Sequence, residues 1–223
     1  MSKFGLVIDL KKCFGCRSCV AACKVENMVQ KENYWNFIIE YEEGEYPNVK
    51  RRFVPMNCMH CEEPACMKAC PEKAIKKNEY GVVLIDYDKC KGRKYCIAAC
   101  PYGVIHYIKK EKTFYPNEKT PYEELPFKAR HFLHRKKLGV VEKCTLCWHR
   151  IEKALKEGKK PGSDYDSSPA CVPVCPAGAR YFIDYDEPES KVFEMIKKRG
   201  AKKLKEEFGT NPKVTYLFFK EDL

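Results

Sequence analysis

The residues able to do chemistry in this 223-residue chain are its fifteen cysteines, and they fall into four groups with distinct spacing. The first is Cys13-x2-Cys16-x2-Cys19-x3-Cys23, and the second is Cys58-x2-Cys61-x4-Cys66-x3-Cys70-Pro71. The third is Cys90-x5-Cys96-x3-Cys100-Pro101. The fourth joins Cys144-x2-Cys147 to Cys171-x3-Cys175-Pro176 across 23 residues. An odd count cannot be fully paired as disulfides. Soft thiolates without histidine or carboxylate at matching spacing select iron-sulfur centres or zinc over oxygen-loving metals. A cubane is broad enough for three thiolates two residues apart to converge on it from one loop. The last cysteine, on the short helix that follows, then reaches a neighbouring cluster. Proline after that cysteine stops the chain folding back. Zinc is the alternative, since a pair such as Cys144 and Cys147 is knuckle-like. Three closely spaced thiolates followed by Cys-Pro fit it badly, and four such groups compound the misfit. A radical enzyme of the S-adenosylmethionine type needs a C-x3-C-x2-C run, which is absent, and a thioredoxin-like site needs one isolated pair.

Groups one and three are copies at a constant offset of 77: "LVIDLKKC" answers to "VLIDYDKC" and "CVAAC" to "CIAAC". The two agree at every cysteine except one, where Arg93 stands opposite Cys16. A guanidinium stays protonated and offers five donors and no lone pair, so Arg93 cannot ligate iron.

The elements that position these groups are short. β-Branched and aromatic residues predict strands over 4–9, 37–41, 82–86, 104–108 and 180–184. Helical turns are expected over 20–27, 64–70 and 97–100. "CWHRIEKALKEG" has Trp148, Ile151, Ala154 and Leu155 at helical spacing and ends on Gly158. Residues 187–208 read as one or two amphipathic helices, and packing on the protein's own surface is favoured over a membrane surface. Little conventional core is expected, so the iron-free chain should be largely unfolded. His60, His106, His131, His134 and His149 are assigned to no metal; His60 lies inside a C-x-x-C pair and His149 just after one, where a tuning or solvating role is expected. Trp148 reads as a packing residue or a shield beside Cys147.

The formal charge of +11 raises nucleic acid as a partner, yet the lysines are scattered among glutamates with no arginine-rich arm. Nucleic acid is therefore not expected. The opening "MSKFGLVIDLKKC" has a five-residue apolar stretch broken by Asp9, so no cleaved leader is expected. The longest apolar runs, "GVVLI" and "YLFF", are strand-sized, so any membrane attachment is expected through another chain.

"GLVIDLKKCFGCRSCVAACKVEN", "PMNCMHCEEPAC", "ACPYGVI", "VEKCTLCWHRI", "PACVPVCPAGA" and "GTNPKVTYL" together resemble the four-cluster iron-sulfur (beta) subunit of the dimethyl sulfoxide reductase superfamily of molybdenum or tungsten bis-pterin oxidoreductases. The resemblance spans nearly the whole chain. It implies an α+β fold of two bacterial-type double-cluster ferredoxin-like units, one inserted in the other, with few regular elements and extra loops. Residues 1–50 and 140–186 would form the first unit and 51–108 the inserted one. Residues 109–139 would be an insertion loop, packed on a partner or simply at the surface, and 187–223 a C-terminal helical tail. The resemblance also implies four ligand sets: Cys13, Cys16, Cys19 and Cys175; Cys144, Cys147, Cys171 and Cys23; Cys58, Cys61, Cys66 and Cys100; and Cys90, Cys96 and Cys70 beside Arg93. Three sets would hold 4Fe-4S clusters. The favoured reading of the fourth is 3Fe-4S, as in relatives of respiratory nitrate reductases; a 4Fe-4S cluster with a non-cysteine ligand, or an empty site as in the small subunit of pyrogallol transhydroxylase, are the alternatives.

The implied function is single-electron relay between a large molybdenum or tungsten pterin catalytic subunit and a membrane-anchor, quinone-reactive or soluble redox partner, with no catalytic residue in this chain. The alternatives are a stand-alone polyferredoxin and a zinc-stabilised interaction module. The location is cytoplasmic or at a membrane through a partner, and export with a signal-bearing partner stays open. Four clusters contribute about −8, which leaves the holoprotein at about +3 and makes much of the basicity internal counter-charge. Anaerobically purified protein is expected to be brown, with broad visible absorbance bleached by dithionite; a colourless, zinc-containing preparation would contradict this reading.

Overall fold

The computed structural model describes residues 4–109, 115, 117–130 and 137–218. In chain order its elements are β1 (Phe4–Asp9), α1 (Ser18–Asn27), β2 (Asn36–Glu43), β3 (Lys50–Asn57), α2 (Ala65–Lys68), β4 (Ile75–Lys77), β5 (Val83–Ile85) and α3 (Tyr95–Ala99). They continue with β6 (His106–Tyr107), α4 (Pro121–Glu124), β7 (Val141–Glu142), α5 (Trp148–Lys156), β8 (Arg180–Asp184), α6 (Lys191–Arg199) and β9 (Val214–Leu217).

The strand β1 is buried along its whole length because it is the middle strand of the sheet β8-β1-β9. Its unbroken apolar run "FGLVI" suits a strand covered on both faces. β8 pairs with it antiparallel, Ile8 opposite Arg180, and β9 pairs parallel, Asp9 opposite Leu217. On one face Phe4, Leu6, Ile8, Val214 and Tyr216 pack with Met56 and Ile151. On the other, Val7, Ile183 and Leu217 receive Val192, Phe193, Met195 and Ile196 of α6. The Ser190 hydroxyl accepts from the Phe193 N–H to cap that helix. Arg199 at its end grips the fully buried Asp9 with both terminal nitrogens, Nη2 at 2.9 Å from Oδ1.

Two expectations are corrected here. The segment 187–223 is more than a helical tail, because "VTYL", rich in β-branched and aromatic residues, forms β9 against β1. A conventional apolar core also exists, centred on this sheet.

The remaining strands form two-stranded ribbons between the cysteine groups. β2 and β3 pair from Asn36 opposite Asn57 out to Glu43 opposite Lys50, with Glu42 facing Arg51. β4 pairs with β5, and β6 with β7. The strand expected over 104–108 is reduced to β6, and β3, β4, β7 and β9 were not anticipated. α5 follows its predicted period, burying Ile151 and Ala154 before Gly158 turns out at φ +70°. Within 109–139 the chain forms α4, started by a capping box between Thr120 and Glu123. Residues 110–114, 116 and 131–136, which include His131 and His134, lie outside the described residues. No helix among the described residues is long and apolar enough to cross a membrane.

Replacing Arg199 with leucine strands the buried Asp9 carboxylate, and we expect a loss of about 3 kcal/mol. The check is the denaturant midpoint of the cluster-loaded protein by far-ultraviolet circular dichroism.

Candidate metal centre

The repeat of groups one and three extends from sequence to backbone. Gly15 and Gly92 sit at φ +76° and +62°, and Arg17 and Lys94 at +61° and +64°. A Cβ on Gly92 would lie 2.1 Å from the Gly139 carbonyl oxygen, so that loop admits glycine alone. The Cys13 N–H donates to the Asp9 carbonyl and the Cys90 N–H to the Asp86 carbonyl, at 3.2 and 3.0 Å. At the same two aspartates, the Asp9 N–H reaches the Ala179 carbonyl and the Asp86 N–H the Ala74 carbonyl, both at 2.7 Å. The start of group one is thereby stitched to the Cys175-Pro176 turn, and the start of group three to the Cys70-Pro71 turn. All three Cys-Pro turns close alike, with N–H groups of Lys73, Gly103 and Gly178 donating back to the carbonyls of Cys70, Cys100 and Cys175.

These turns bring the thiols into four neighbourhoods. A cleft partly open to solvent, about 320 Å³ with that open space included, is lined by Cys13, Cys16, Cys19 and Cys175. A second, about 360 Å³ on the same measure, is lined by Cys58, Cys61, Cys66 and Cys100. A third, about 310 Å³, is lined by Cys70, Cys90 and Cys96, with Arg93 on its wall. Cys23, Cys144, Cys147 and Cys171 form the remaining neighbourhood: burial first, then the other three thiols, raises Cys23. Asn27 bridges it from α1, its amide 3.8 Å from Cys23 Sγ and 3.9 Å from Cys147 Sγ. Among the described residues no three Cys, His, Asp or Glu side chains gather tightly enough for one metal ion. Each set is spread around a space instead of closing on a point, an arrangement that a polynuclear sulfide-bridged core fits.

Burial is the main cause of the thiol shifts, and mutual repulsion adds to it. Cys61 and Cys96 are pushed up to about 11, and Cys66 and Cys144 to about 12. After burial, Cys58 is the thiol that raises Cys144 most, which puts those two neighbourhoods side by side. Backbone N–H groups already point at sulfur: Ala179 donates to Cys175 at 3.3 Å and Leu146 to Cys144 at 3.4 Å.

Several neighbours of the thiols carried no spacing signal in the sequence. Arg180 lines the first cleft and is 3% exposed, and Lys143 lines the second and is 1% exposed. The Thr210 hydroxyl, on the "GTNP" segment, meets Tyr102 at 2.7 Å and hydrogen-bonds the Cys61 thiol. The Thr210 and Asn211 carbonyls accept from Glu63 and Glu62 N–H, latching the loop of Cys61 to Cys66. Arg93, by contrast, has a 64% exposed side chain whose Nε lies 3.4 Å from Glu72. Of the histidines, buried His60 accepts the Val83 N–H on Nδ1, and burial, aided by Lys143, drives its pKa well down, so it is neutral. His149 pairs with Glu26 at 2.6 Å and helps tie α5 to α1; His106 contacts the Tyr34 carbonyl. Trp148 packs at 5.5 Å from Tyr80.

Fold and thiol sets define a carrier of polynuclear iron-sulfur centres of the double-cluster ferredoxin type. Two family models, each described as a 4Fe-4S dicluster domain, match residues 12–74 and 49–116. Over 95% of its length the chain is 41% identical to a selenate reductase subunit of Mesobacillus selenatarsenatis, covering 70% of that protein. It is 36% identical to the arsenate respiratory reductase iron-sulfur subunit ArrB of Shewanella sp. strain ANA-3, covering 96% of each. It is also 36% identical to the menaquinone reductase iron-sulfur cluster-binding subunit of Nitratidesulfovibrio vulgaris, covering 98% of this chain and 90% of that one. The chain belongs to the iron-sulfur electron-transfer subunits of the dimethyl sulfoxide reductase superfamily of oxidoreductase complexes.

Iron removal is expected to unfold the chain starting from the cysteine loops, because these pack into the same apolar core as the sheet. Hydrogen exchange should rise first across 13–23, 58–70, 90–100 and 144–175, with β1 and β9 protected longest. Thiols held at about 11 to 12 must give up protons to bind iron, so reconstitution yield should rise with pH throughout the range below about 11. Iron content after anaerobic reconstitution measures it.

Proposed function

We propose that this subunit relays single electrons through four iron-sulfur clusters held by all fifteen cysteines. The ligand sets are Cys13, Cys16, Cys19 and Cys175; Cys23, Cys144, Cys147 and Cys171; Cys58, Cys61, Cys66 and Cys100; and Cys70, Cys90 and Cys96. Iron-sulfur clusters, when bound, take up and release one electron at a time.

The observation that carries the reading is the exchange of cysteines between neighbouring sets on shared short helices. α1 carries Cys19 of the first set and Cys23 of the second, and the turn from Cys171 to Cys175 serves the same two sets. α2 carries Cys66 of the third set, with Cys70 of the fourth just beyond, while α3 carries Cys96 of the fourth and leads to Cys100 of the third. The closeness of Cys58 to Cys144 supports a join between the second and third sets, giving a single row. Both ends of that row reach the surface, Cys16 and Phe14 at one and Arg93 and Tyr95 at the other. In this reading residues 1–50 and 140–186 form one ferredoxin-like unit, with 51–108 inserted as the second.

The fourth set has three thiols, and we assign it a 3Fe-4S cluster. Arg93 occupies the backbone position that Cys16 occupies in group one, but its charge is shared with Glu72 and spread into solvent. Its influence on that cluster's potential is therefore weak.

The partners we propose are a large molybdenum or tungsten bis-pterin catalytic subunit and a membrane-anchor quinone-reactive subunit. The names of the relatives, subunits of selenate, arsenate respiratory and menaquinone reductases, support a multi-subunit reductase with a quinone-linked member. A membrane location through that partner follows, and the 109–139 segment is a candidate contact.

EPR of the anaerobically purified complex tests this. We expect an oxidised-state spin-half signal together with reduced 4Fe-4S signals, and about 15 iron atoms in this subunit. Sixteen irons would overturn the three-iron assignment. Arg93→Cys supplies the missing thiolate and should add about one iron per chain and abolish the oxidised-state signal.

A further inference from the structure

Two cations sit inside the molecule where the apolar core and the thiols meet. Among the described residues Arg180 and Lys143 are the buried ones, and neither is salt-bridged to a carboxylate. The guanidinium of Arg180 is held by two neutral amides. Its Nη2 donates to Asn57 Oδ1 at 2.7 Å and its Nη1 to Asn36 Oδ1 at 3.3 Å, while Nε–H finds no acceptor. Those asparagines face each other across β2 and β3, and their own amides donate to the carbonyls of Cys19 and Cys58. Lys143 Nζ donates to two carbonyls, those of Val83 and, at 3.1 Å, Cys144.

Burying a cation among neutral partners is strongly unfavourable unless an anion lies within reach. The groups in reach that become anionic when iron binds are cysteine sulfurs. Arg180 lines the pocket of Cys13, Cys19 and Cys175, of the first set, and feels Cys171 and Cys144 of the second, with the Tyr216 phenol beside them. Lys143 lines the pocket of Cys58, Cys61, Cys66 and Cys100, of the third set, and bonds the Cys144 carbonyl of the second. Arg180 therefore lies in the first gap of the row and Lys143 in the second.

We propose that Arg180 and Lys143 are potential-setting residues, each serving as the internal counter-cation of the two clusters it lies between. The inference rests on the four-cluster reading above. Reduction adds negative charge to a cluster, and a buried cation nearby stabilises it, raising the potential. Neither is a ligand. Among the described residues the fourth set has no such cation, since Arg93 is exposed and paired with Glu72.

The test is a potentiometric titration of the intact, cluster-loaded complex, each EPR signal followed separately. Arg180→Gln should move two signals, those of the first and second sets, to more negative potential. Lys143→Gln should move those of the second and third. The fourth cluster should stay put in both, and the second should respond to each. Arg180→Lys and Lys143→Arg, which keep the charge, should retain near-native potentials. Asn36→Asp sets a carboxylate against Arg180 without removing it, beside Cys19 of the first set, and should shift the same two signals as Arg180→Gln. That variant decides the matter if Arg180→Gln fails to bind iron. Unshifted potentials, a uniform shift of all four signals, or equal shifts in the charge-keeping variants would overturn the proposal. Loss of iron from the wild-type count, by contrast, would count against the four-cluster reading itself.

Discussion

Sulfur ligands that are buried together repel one another once they are ionised, and everything else in this protein is arranged around that fact. Burial above all holds thiols such as Cys66 and Cys144 at about 12, so an iron-free site keeps its protons and offers poor ligands. An iron core resolves the conflict by taking the thiolates and leaving a net anion. The chain then has to meet that anion with donors and positive charge. Backbone N–H groups of Ala179 and Leu146, the Asn27 amide, the Thr210 hydroxyl and two interior cations are the groups it uses.

The same constraint accounts for the shape of the regular structure. Each cysteine loop needs an anchored strand before it and a short helix after it. β1 supplies that anchor for group one and β5 for group three, with Asp9 and Asp86 making equivalent bonds to the Cys-Pro turn of another group. The largest sheet packs one face against the cysteine loops and is closed on the other by α6 through Asp9 and Arg199. An apolar core and a set of metal loops thus share one strand.

Much of the site was legible because ligand spacing is a local property. The groups, the 77-residue repeat and the odd position of Arg93 could be read from single stretches. So could β1 from its unbroken apolar run, β8 from its β-branched and aromatic residues, α1 from its place after the cysteine loop, and α5 from apolar residues at helical spacing. What escaped is non-local or lacks a period. Asn27, Lys143, Arg180 and Thr210 look like ordinary surface polar residues until the chain brings distant cysteines to them. β9 and β4 are three or four residues long, and β7 two, too short for alternation to be visible. The charge balance needed refining for a similar reason: composition suggested extensive internal counter-charge, yet among the described residues only Lys143 and Arg180 are buried cations. The other described lysines and arginines are partly or fully exposed, where carboxylates, a partner or solvent meet them.

The central claim is that thiols from distant parts of the chain converge on iron-sulfide cores arranged in a row. Anomalous diffraction from crystals of the holoprotein, collected on either side of the iron absorption edge, tests it most directly. The account predicts four compact iron peaks, one inside each set of cysteines, three of cubane size and the one beside Arg93 smaller. Peaks at the zinc edge, or cysteine sulfurs bonded to each other with no iron between them, would contradict it.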